Sequence, residues 1–305
     1  MRRNRDGRLE WAITTLMANC KGKWPALANL ACRPDISAGV DFGWSSSLSA
    51  LVTGIEQAIV FNLDSKLSGL YVSGSLASGD FDEASSDIDV IAVVDQPLES
   101  GEVRSLKQMH SRLSLELPPR WADLVEAVYV PMEYVSLSSG WTAPALTLSP
   151  AAFGCPGGFH MSRIGPSWVI DRQVMYDFAR TLRGPLVRSI VRCAAQADIR
   201  RAALSCWPPT YRPCEVPPRR DYIAHLILTI CRIWRTVETG HVTSKSGAAK
   251  WAMERLPQNL SREVAVAMQT RGDASAGDSA GFARLRNYCD RVIASTASGA
   301  KRPVS

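Results

Sequence analysis

Residues 74–89 read Gly-Ser-Leu-Ala-Ser-Gly-Asp-Phe-Asp-Glu-Ala-Ser-Ser-Asp-Ile-Asp, and this stretch joins two apolar runs. Gly74-Ser75 closes the first run, and Asp87 and Asp89 open the second. In a β-strand alternate side chains point to the same face, so these two carboxylates would lie side by side. Their repulsion favours a divalent cation, which in turn creates a site for a triphosphate. A glycine turn exposes backbone N–H groups to the same phosphates. The alternative is a loop with a chance acidic cluster.

The apolar runs around this segment predict alternating strands and helices. Strands are expected at residues 68–73, 88–94 and 123–131. The near-continuous apolar character of 88–94 is typical of a central strand that is covered on both faces. Residues 45–62 and 101–115 carry apolar residues at helical spacing. This part of the chain therefore indicates a sheet with helices packed on it.

Glu126 interrupts the third predicted strand, which Pro131 ends. A carboxylate inside so apolar a strand costs free energy unless something compensates its charge. One interpretation is an edge strand from which Glu126 reaches solvent. The other is a third carboxylate that faces Asp87 and Asp89.

The second half of the chain is predicted to be helical after a long connection. Residues 132–167 are rich in serine, glycine and proline and show little periodicity, which predicts a connection of a length uncommon unless functional. Residues 207–218 contain five prolines and predict a stiff loop. Gly240 is expected to end the helix that precedes it. The predicted helices cover residues 169–182, 186–204, 223–237, 246–255, 262–270 and 280–294.

Two basic residues in this half are candidates for binding an anion. Lys245 stands at the start of a predicted helix, where the helix dipole disfavours a cation, so its presence suggests an anionic partner. The alternative is a solvated lysine. Arg232 lies off the apolar stripe of the preceding helix and, taken alone, is an ordinary arginine of a polar face. The two residues are close enough in sequence to converge.

The composition is that of a globular protein. The chain has 305 residues, 46% apolar and 21% charged, with a net charge of +6, which suggests one large domain or two ordinary ones. Four arginines lie within the first eight residues, but no long basic block appears, so binding of nucleic acid is not implied. No apolar run is long enough to span a membrane.

The cysteines and the N-terminus indicate the cellular compartment in which the protein is expected. None of the eight cysteines forms a Cys-x-x-Cys pair, and the four histidines are scattered, so metal-ligand spacing of this kind is absent. Residues 11–18 form only a short apolar stretch after the arginines, which argues against an export signal. We therefore expect a cytoplasmic protein with reduced cysteines. They are Cys20, Cys32, Cys155, Cys193, Cys206, Cys214, Cys231 and Cys289.

Two blocks of sequence resemble known enzymes. Gly-Ser, about a dozen residues and then Asp-x-Asp resembles the signature of the nucleotidyltransferase superfamily. Leu228-Thr-Ile-Cys-Arg-Ile-Trp234, Thr239-Gly240, Lys245 and Ala248-Ala-Lys-Trp-Ala-Met-Glu-Arg-Leu-Pro257 resemble the C-terminal helical domain of the bacterial aminoglycoside adenylyltransferases. These are enzymes that act on streptomycin and spectinomycin. The resemblance covers roughly residues 45–290.

The resemblance implies an α+β fold. It places an N-terminal nucleotidyltransferase domain with a mixed β-sheet at residues 43–158, followed by a C-terminal α-helical bundle domain at 159–296. Residues 1–42 would be an extension and 297–305 a tail. ATP and two Mg²⁺ ions are expected between the domains, and the predicted oligomeric state is a monomer.

The same resemblance assigns roles to single residues. Glu126 would be the general base, and the triphosphate would be gripped from both domains. Asp87, Asp89 and Glu126 are the predicted metal ligands, and the predicted nucleotide contacts are Gly74, Ser75, Ser86, Arg232 and Lys245.

The predicted reaction is the transfer of AMP from ATP to a hydroxyl of an aminoglycoside or aminocyclitol antibiotic, which would confer resistance. The acidic segment 80–89 also favours a small cationic acceptor. An alternative acceptor for the same fold is another small metabolite, a protein hydroxyl or an RNA end. RNA would need a basic, aromatic-bearing surface that the sequence does not show. A non-enzymatic alternative is a degenerate nucleotide-binding regulator.

The sequence departs from the family at several places, and residues 1–42 and 132–165 match it poorly. A family tyrosine that contacts the nucleotide aligns near Arg271. The loop in which the family places aromatic and acidic residues for drug selection is longer here and rich in proline. The candidates for acceptor contacts are Trp207, Tyr211 and Asp221, and the sequence leaves the acceptor itself open.

Overall fold

The computed structural model describes residues 42–83, 85–117, 121, 124–136, 143–149, 158–165, 167–207 and 218–297. Residues 1–41 of the predicted extension and 298–305 of the predicted tail lie outside them. The strands are β1 (Leu67–Val72), β2 (Ile88–Val94), β3 (Val125–Pro131), β4 (Ala143–Ser149), β5 (Gly158–Ile164) and β6 (Arg180–Arg183).

Helices occur before, between and after these strands along the chain. The first five are α1 (Ser46–Leu63), α2 (Gly74–Ser78), α3 (Ser100–Glu116), α4 (Met132–Ser136) and α5 (Ser167–Phe178). The others are α6 (Val187–Ile190), α7 (Gln196–Ser205), α8 (Arg220–Thr239), α9 (Lys245–Met253), α10 (Gln258–Gln269) and α11 (Ala280–Ala297).

The six strands form one mixed sheet in the order β5-β4-β3-β2-β1-β6. Only β2 and β3 run parallel, and α3 connects them; the other neighbours are antiparallel. The predicted strand at residues 88–94 is confirmed to the residue. The predicted α+β fold with a mixed sheet is confirmed as well.

The sheet separates two apolar cores, which explains the near-continuous apolar sequence of β2. Val90 and Ala92 face a core with α1 and α3, whereas Ile91 and Val93 face a core with α5 and α6. Because both faces are covered, alternation between apolar and polar residues would have no advantage here. The acidic residues of β2 and β3, Asp89 and Glu126, lie at the amino ends of these strands, close to the carboxyl end of β1.

The C-terminal half is a helical bundle around α8. Trp234 and the rest of the apolar stripe of α8 pack against α7, α9, α10 and α11. Gly240 caps α8 at φ 70°, a left-handed conformation that favours glycine, as predicted. Among the described residues, no helix combines the length and apolar character needed to cross a membrane. The four cysteines among the described residues form no disulfide bonds. They are Cys193, Cys206, Cys231 and Cys289.

The predicted connection at residues 132–167 is wrong. It contains α4 and a hairpin in which β4 and β5 pair over their full length, from Ala143–Ile164 to Ser149–Gly158. These strands form one end of the sheet, with β5 at its edge, and Pro144 of β4 lies outside the stretch 146–148 that pairs with β3. The composition of an edge hairpin therefore resembled that of a loop.

Two predicted helices are also corrected. The one at 169–182 ends at Phe178, and β6 then pairs with the free edge of β1. The one at 186–204 is broken between α6 and α7, where Gln173 Oε1 accepts a hydrogen bond from Ala194 N at 2.8 Å. In both cases backbone hydrogen bonds to distant segments outweigh local helix propensity.

The predicted domain boundary at residue 158 falls inside the sheet, because β5 and β6 both lie beyond it. The pairing of β6 with β1 ties this part of the chain to the N-terminal half. We therefore propose that the boundary lies after β6, between residues 184 and 195.

Candidate active site

The turn after β1 brings Gly74 into contact with Asp89. Gly74 has φ 60°, and a Cβ placed there would overlap Asp89 Oδ2. Ser73 N donates to the carbonyl oxygen of Asp89 at 2.9 Å, which fixes the turn against the start of β2. Only glycine fits this position, because both the backbone conformation and the space exclude a side chain.

Three carboxylates converge where β2 and β3 begin. The parallel register pairs Asp89 directly with Glu126, and Asp87 points to the same face of the sheet. One oxygen from each of the three lies within 4.8 Å of the others. The predicted convergence of Glu126 with the two aspartates is thus present in the structure, and β3 is not an edge strand, since it lies between β2 and β4.

This convergence raises the pKa of two of the carboxyl groups, those of Asp89 and Glu126. Burial raises the pKa of Asp89 well above its ordinary value, and the charges of Asp87 and Glu126 raise it further. Burial also raises the pKa of Glu126 to about 7, with a further contribution from Asp87 and Asp171. Both shifts report negative charge held close together in a poorly solvated place, as expected of a cation site or of a group that exchanges protons near neutral pH.

Serine hydroxyls next to the carboxylates have free hydrogen-bonding capacity. Ser75 Oγ and Ser85 Oγ are buried and make no hydrogen bond with any described residue. Buried hydroxyls without partners are costly, so they indicate a ligand that accepts their hydrogen bonds. Ser86 Oγ accepts a hydrogen bond from Asp82 N at 3.0 Å and one from Arg271 Nη2 at 3.5 Å.

The opposite wall of the site comes from the helical bundle and is basic. Lys245, the first residue of α9, directs its Nζ to His225 Nδ1 on α8 at 3.3 Å. Burial lowers the pKa of Lys245 to about 8, and Arg232 lowers it further, while Asp87 and Asp89 act in the opposite direction. Burial and the same two cations lower the pKa of His225 well below its ordinary value, so it is neutral and accepts from Lys245.

Asp80 and Arg271 link the two halves at one side of the site. Asp80 Oδ2 accepts a hydrogen bond from Ser246 N in the first turn of α9 at 3.0 Å. Arg271 Nη1 lies 3.7 Å from Asp80 Oδ1 and 3.4 Å from Ser246 Oγ. Arg271 thus lies at the junction of both halves and reaches Ser86.

Between the two walls lies a cleft with a volume of about 950 Å³. It is large enough for a nucleotide together with a small second ligand. The predicted residues that line it are Gly74, Ser75, Ser86, Asp87, Asp89, Glu126, Asp221, Arg232 and Lys245.

The predicted acceptor residues have three different outcomes. Trp207 is not among the residues that line the cleft, and its indole N–H donates to Asp290 Oδ1 at 2.8 Å. Asp221 lines the cleft but is paired with Arg219, whose Nε and Nη2 lie 3.1 and 2.5 Å from its two oxygens. Tyr211 lies outside the described residues.

Polar residues of the cleft that the sequence did not mark as candidates include Ser85, Asp171, His225 and Arg219. His225 and Asp171 are polar residues within helices, and no local spacing distinguishes them from solvated positions. His225 lies seven residues before Arg232, two turns along α8, and this spacing is the one signal that places both on the same face.

The fold and these residues define a class of protein. A mixed sheet with a Gly-Ser turn facing an Asp-x-Asp pair and a third strand carboxylate is a nucleotidyltransferase domain, and residues 55–138 match the family described as nucleotidyltransferase domain. Residues 196–294 match the family described as aminoglycoside adenylyltransferase, C-terminal domain.

Proteins of similar sequence identify the family within this class. The chain is 30% identical over 199 residues to a spectinomycin 9-adenylyltransferase of Staphylococcus aureus, covering 64% of this chain and 74% of the relative. It is 27% identical over 241 residues to an aminoglycoside (3'') (9) adenylyltransferase of Klebsiella pneumoniae, covering 74% and 84%. The chain therefore belongs to the aminoglycoside adenylyltransferase family, and it is a nucleotidyltransferase enzyme.

A solved structure supports the fold. The crystal structure of a spectinomycin adenyltransferase from Enterococcus faecialis, determined with ATP and spectinomycin, superposes with a TM-score of 0.60 at 15% identity. The superposition covers 79% of this chain and 99% of that one.

Proposed function

We propose that this enzyme transfers AMP from ATP to a hydroxyl of an aminocyclitol or aminoglycoside antibiotic of the spectinomycin or streptomycin type. The observation that carries the proposal is a cleft with three converging carboxylates on one wall and Lys245 and Arg232 on the other. Such a site can hold a polyanion and a cation together. The relatives' named substrates supply the acceptor class.

The carboxylates fit Mg²⁺. Their oxygens are the hard ligands that this ion prefers, and burial together with their mutual repulsion raises the pKa of Asp89, a shift that a bound cation would oppose. Asp87, Asp89 and Glu126 would hold the metal ions. When bound, Mg²⁺ neutralises charge on the triphosphate and orients it.

The triphosphate is proposed to lie between the two walls. Ser75 and Ser85 would donate to phosphate oxygens the hydrogen bonds that no described residue accepts. Lys245 and Arg232 would neutralise the phosphates from the helical side. Because these residues come from both halves, the nucleotide site is complete only where the halves meet.

Glu126 is proposed to accept the proton of the acceptor hydroxyl. Burial and neighbouring carboxylates raise its pKa to about 7, which suits a base that works near neutral pH. The hydroxyl oxygen then bonds to the α-phosphorus, and the bond from the α-phosphorus to the bridging oxygen breaks. Pyrophosphate leaves, and AMP remains on the acceptor.

Pyrophosphate release tests the proposal. Purified protein with ATP and Mg²⁺ should release pyrophosphate when spectinomycin or streptomycin is added, and the drug should gain the mass of an adenylyl group. Reactions without drug, and with Asp89→Asn in place of the wild type, are the controls. Expression in a susceptible bacterium should raise the inhibitory concentration of the same drug. Absence of both effects for both drugs would refute the acceptor assignment.

A second candidate keeps the reaction and changes the acceptor. Two observations favour it: Arg219 already pairs with Asp221, and Trp207 is held by Asp290 away from the cleft. Turnover with a neutral or otherwise unrelated hydroxyl compound, and none with the antibiotics, would support this candidate.

A further inference from the structure

Helix α5 presents one charged group to the cleft. The residues of α5 that line the cleft include Trp168, Ile170, Val174 and Phe178, an apolar surface, together with Asp171. Their spacing places them along one side of the helix. Asp171 is therefore a single carboxylate set in an otherwise largely apolar wall.

Asp171 has no ion pair or hydrogen bond with another described residue, unlike Asp221 in the same cleft. Burial raises the pKa of Asp171 to about 6, and the attraction of Arg232 offsets the rise only in part. Asp221, by contrast, is held by two hydrogen bonds from Arg219. Of these two aspartates, Asp171 is the one whose charge is still available to a ligand.

The position of Asp171 relative to Glu126 indicates which ligand the charge of Asp171 would bind. Asp171 and Glu126 both line the cleft, and the charge of Asp171 adds to burial and to the charge of Asp87 in raising the pKa of Glu126. The negative triphosphate would be repelled from the apolar wall that bears Asp171. A ligand whose hydroxyl reaches Glu126 would bring its neighbouring groups beside Asp171.

We propose that Asp171 is a specificity-determining residue that binds an ammonium or guanidinium group of the acceptor close to the hydroxyl that reacts. The inference rests on the proposed adenylyl transfer and adds to it the carboxylate that selects a cationic acceptor. The apolar residues around Asp171 would pack against the carbon skeleton of the acceptor and exclude water, which strengthens the ion pair.

Kinetics of Asp171→Asn give the first test. The variant keeps the shape of the side chain and removes its charge, so the KM for spectinomycin or streptomycin should rise roughly 10- to 100-fold, the size expected for a lost charge-assisted hydrogen bond. The KM for ATP should change much less, because the triphosphate is proposed to contact Lys245 and Arg232 rather than Asp171 itself. Asp177→Asn, at an exposed position of the same helix, is the matched control and should leave both constants unchanged.

Thermal melting of the ligand-free proteins at pH 8 gives a second test that needs no acceptor. A half-buried carboxylate without a partner destabilises the protein, so Asp171→Asn should raise the melting temperature by about 2–4 °C. A residue that stabilises the fold, for example through Arg232, would instead show a lower melting temperature when replaced.

The two tests separate the possible failures. If the wild type adenylylates a drug and Asp171→Asn does so with an unchanged KM, the inference about Asp171 is overturned and the proposed function stands. If the wild type adenylylates neither drug, the proposed function fails, and the ligand-free melting temperature decides the inference. A rise supports a binding role for Asp171, and an unchanged or lower value overturns it.

Discussion

The two walls of the cleft are built in different ways. On the sheet wall, Asp87, Asp89 and Glu126 lie within 40 residues of one another and are aligned by the register of two adjacent strands. On the helical wall, His225, Lys245 and other basic groups come from separate elements that only helix packing brings together. Backbone hydrogen bonds therefore position the acids, and side-chain packing positions the bases.

The two walls also shift the pKa values of their buried groups in opposite directions. Burial and mutual repulsion raise the pKa of Asp89 and Glu126 on the sheet wall, whereas burial and mutual repulsion lower those of Lys245 and His225 on the helical wall. The positive charges of the helical wall partly offset the raised pKa values on the sheet wall, and the negative charges of the sheet wall partly offset the lowered pKa of Lys245. Replacing residues on one wall at a time should reveal whether metal binding and nucleotide binding can be separated.

The largest effect is expected on the sheet wall, from Asp89→Asn. Loss of a metal ligand should reduce Mg²⁺-dependent turnover by about 10³-fold or more, because several kcal/mol of charge stabilisation are lost. The melting temperature should not fall, since the change removes repulsion from Asp87 and Glu126. Glu83→Gln, at an exposed position of the same segment, is the control. Full activity of both Asp87→Asn and Asp89→Asn would contradict the assignment of the metal site.

Glu126→Gln should have the next largest effect. Turnover should fall by roughly 10²-fold or more, the scale of a lost general base, while ATP affinity measured by calorimetry stays nearly the same. A large loss of ATP affinity would instead indicate that Glu126 acts mainly as a metal ligand. This variant therefore shows which of its two predicted roles dominates.

Lys245→Met tests the helical wall. It should weaken ATP binding roughly 10- to 100-fold, because a charge-assisted contact to the phosphates is lost, with a smaller effect on the acceptor. Lys250→Met, at an exposed position of the same helix, is the matched control. Unchanged ATP affinity in calorimetry would argue against a nucleotide site shared by both halves.

The pH dependence of ATP binding sharpens the same prediction. The pKa of Lys245 is lowered to about 8, so its ammonium form is present below that pH and is lost above it. ATP affinity of the wild type should therefore fall as the pH rises through about 8, and Lys245→Met should lack this fall. An identical pH profile in both proteins would exclude Lys245 as its source.

The smallest effect is expected from Arg271→Ala, at the junction of the two walls. Its contacts with Asp80 and Ser86 are long, so we expect ATP affinity to fall only about threefold to tenfold, the scale of one ordinary hydrogen bond. Arg262→Ala, at an exposed position of α10, serves as the comparison. A loss as large as that of Lys245→Met would place Arg271 directly on the phosphates.

The sheet wall was predictable from sequence because its determinants are local. Gly74, Asp87 and Asp89 belong to one short motif, and Glu126 was marked by its apolar neighbours. The hairpin of β4 and β5 at one end of the sheet was missed, since an edge strand such as β5 needs little apolar alternation.

On the helical wall, Lys245 was marked by its place at the start of a helix, whereas Arg232 was assigned only through the resemblance to a family. His225 and Asp171 are polar residues on helices, and such residues are usually solvated. Their inclusion in the cleft depends on how α5 and α8 pack against the sheet, which no local pattern records. The pairing of Asp221 with Arg219 is likewise a property of the packed structure.

The contact of Asp80 with the first turn of α9 has a consequence for the cost of assembling the enzyme–substrate complex. Asp80 Oδ2 accepts from Ser246 N, and Arg271 approaches the same carboxylate, so the halves are joined before any ligand arrives. A preorganised cleft loses less conformational entropy when a nucleotide enters than one that must first be closed. The same hydrogen bond restrains hinge motion between the two halves. The rate of product release should therefore depend on how often the hydrogen bond between Asp80 and α9 breaks.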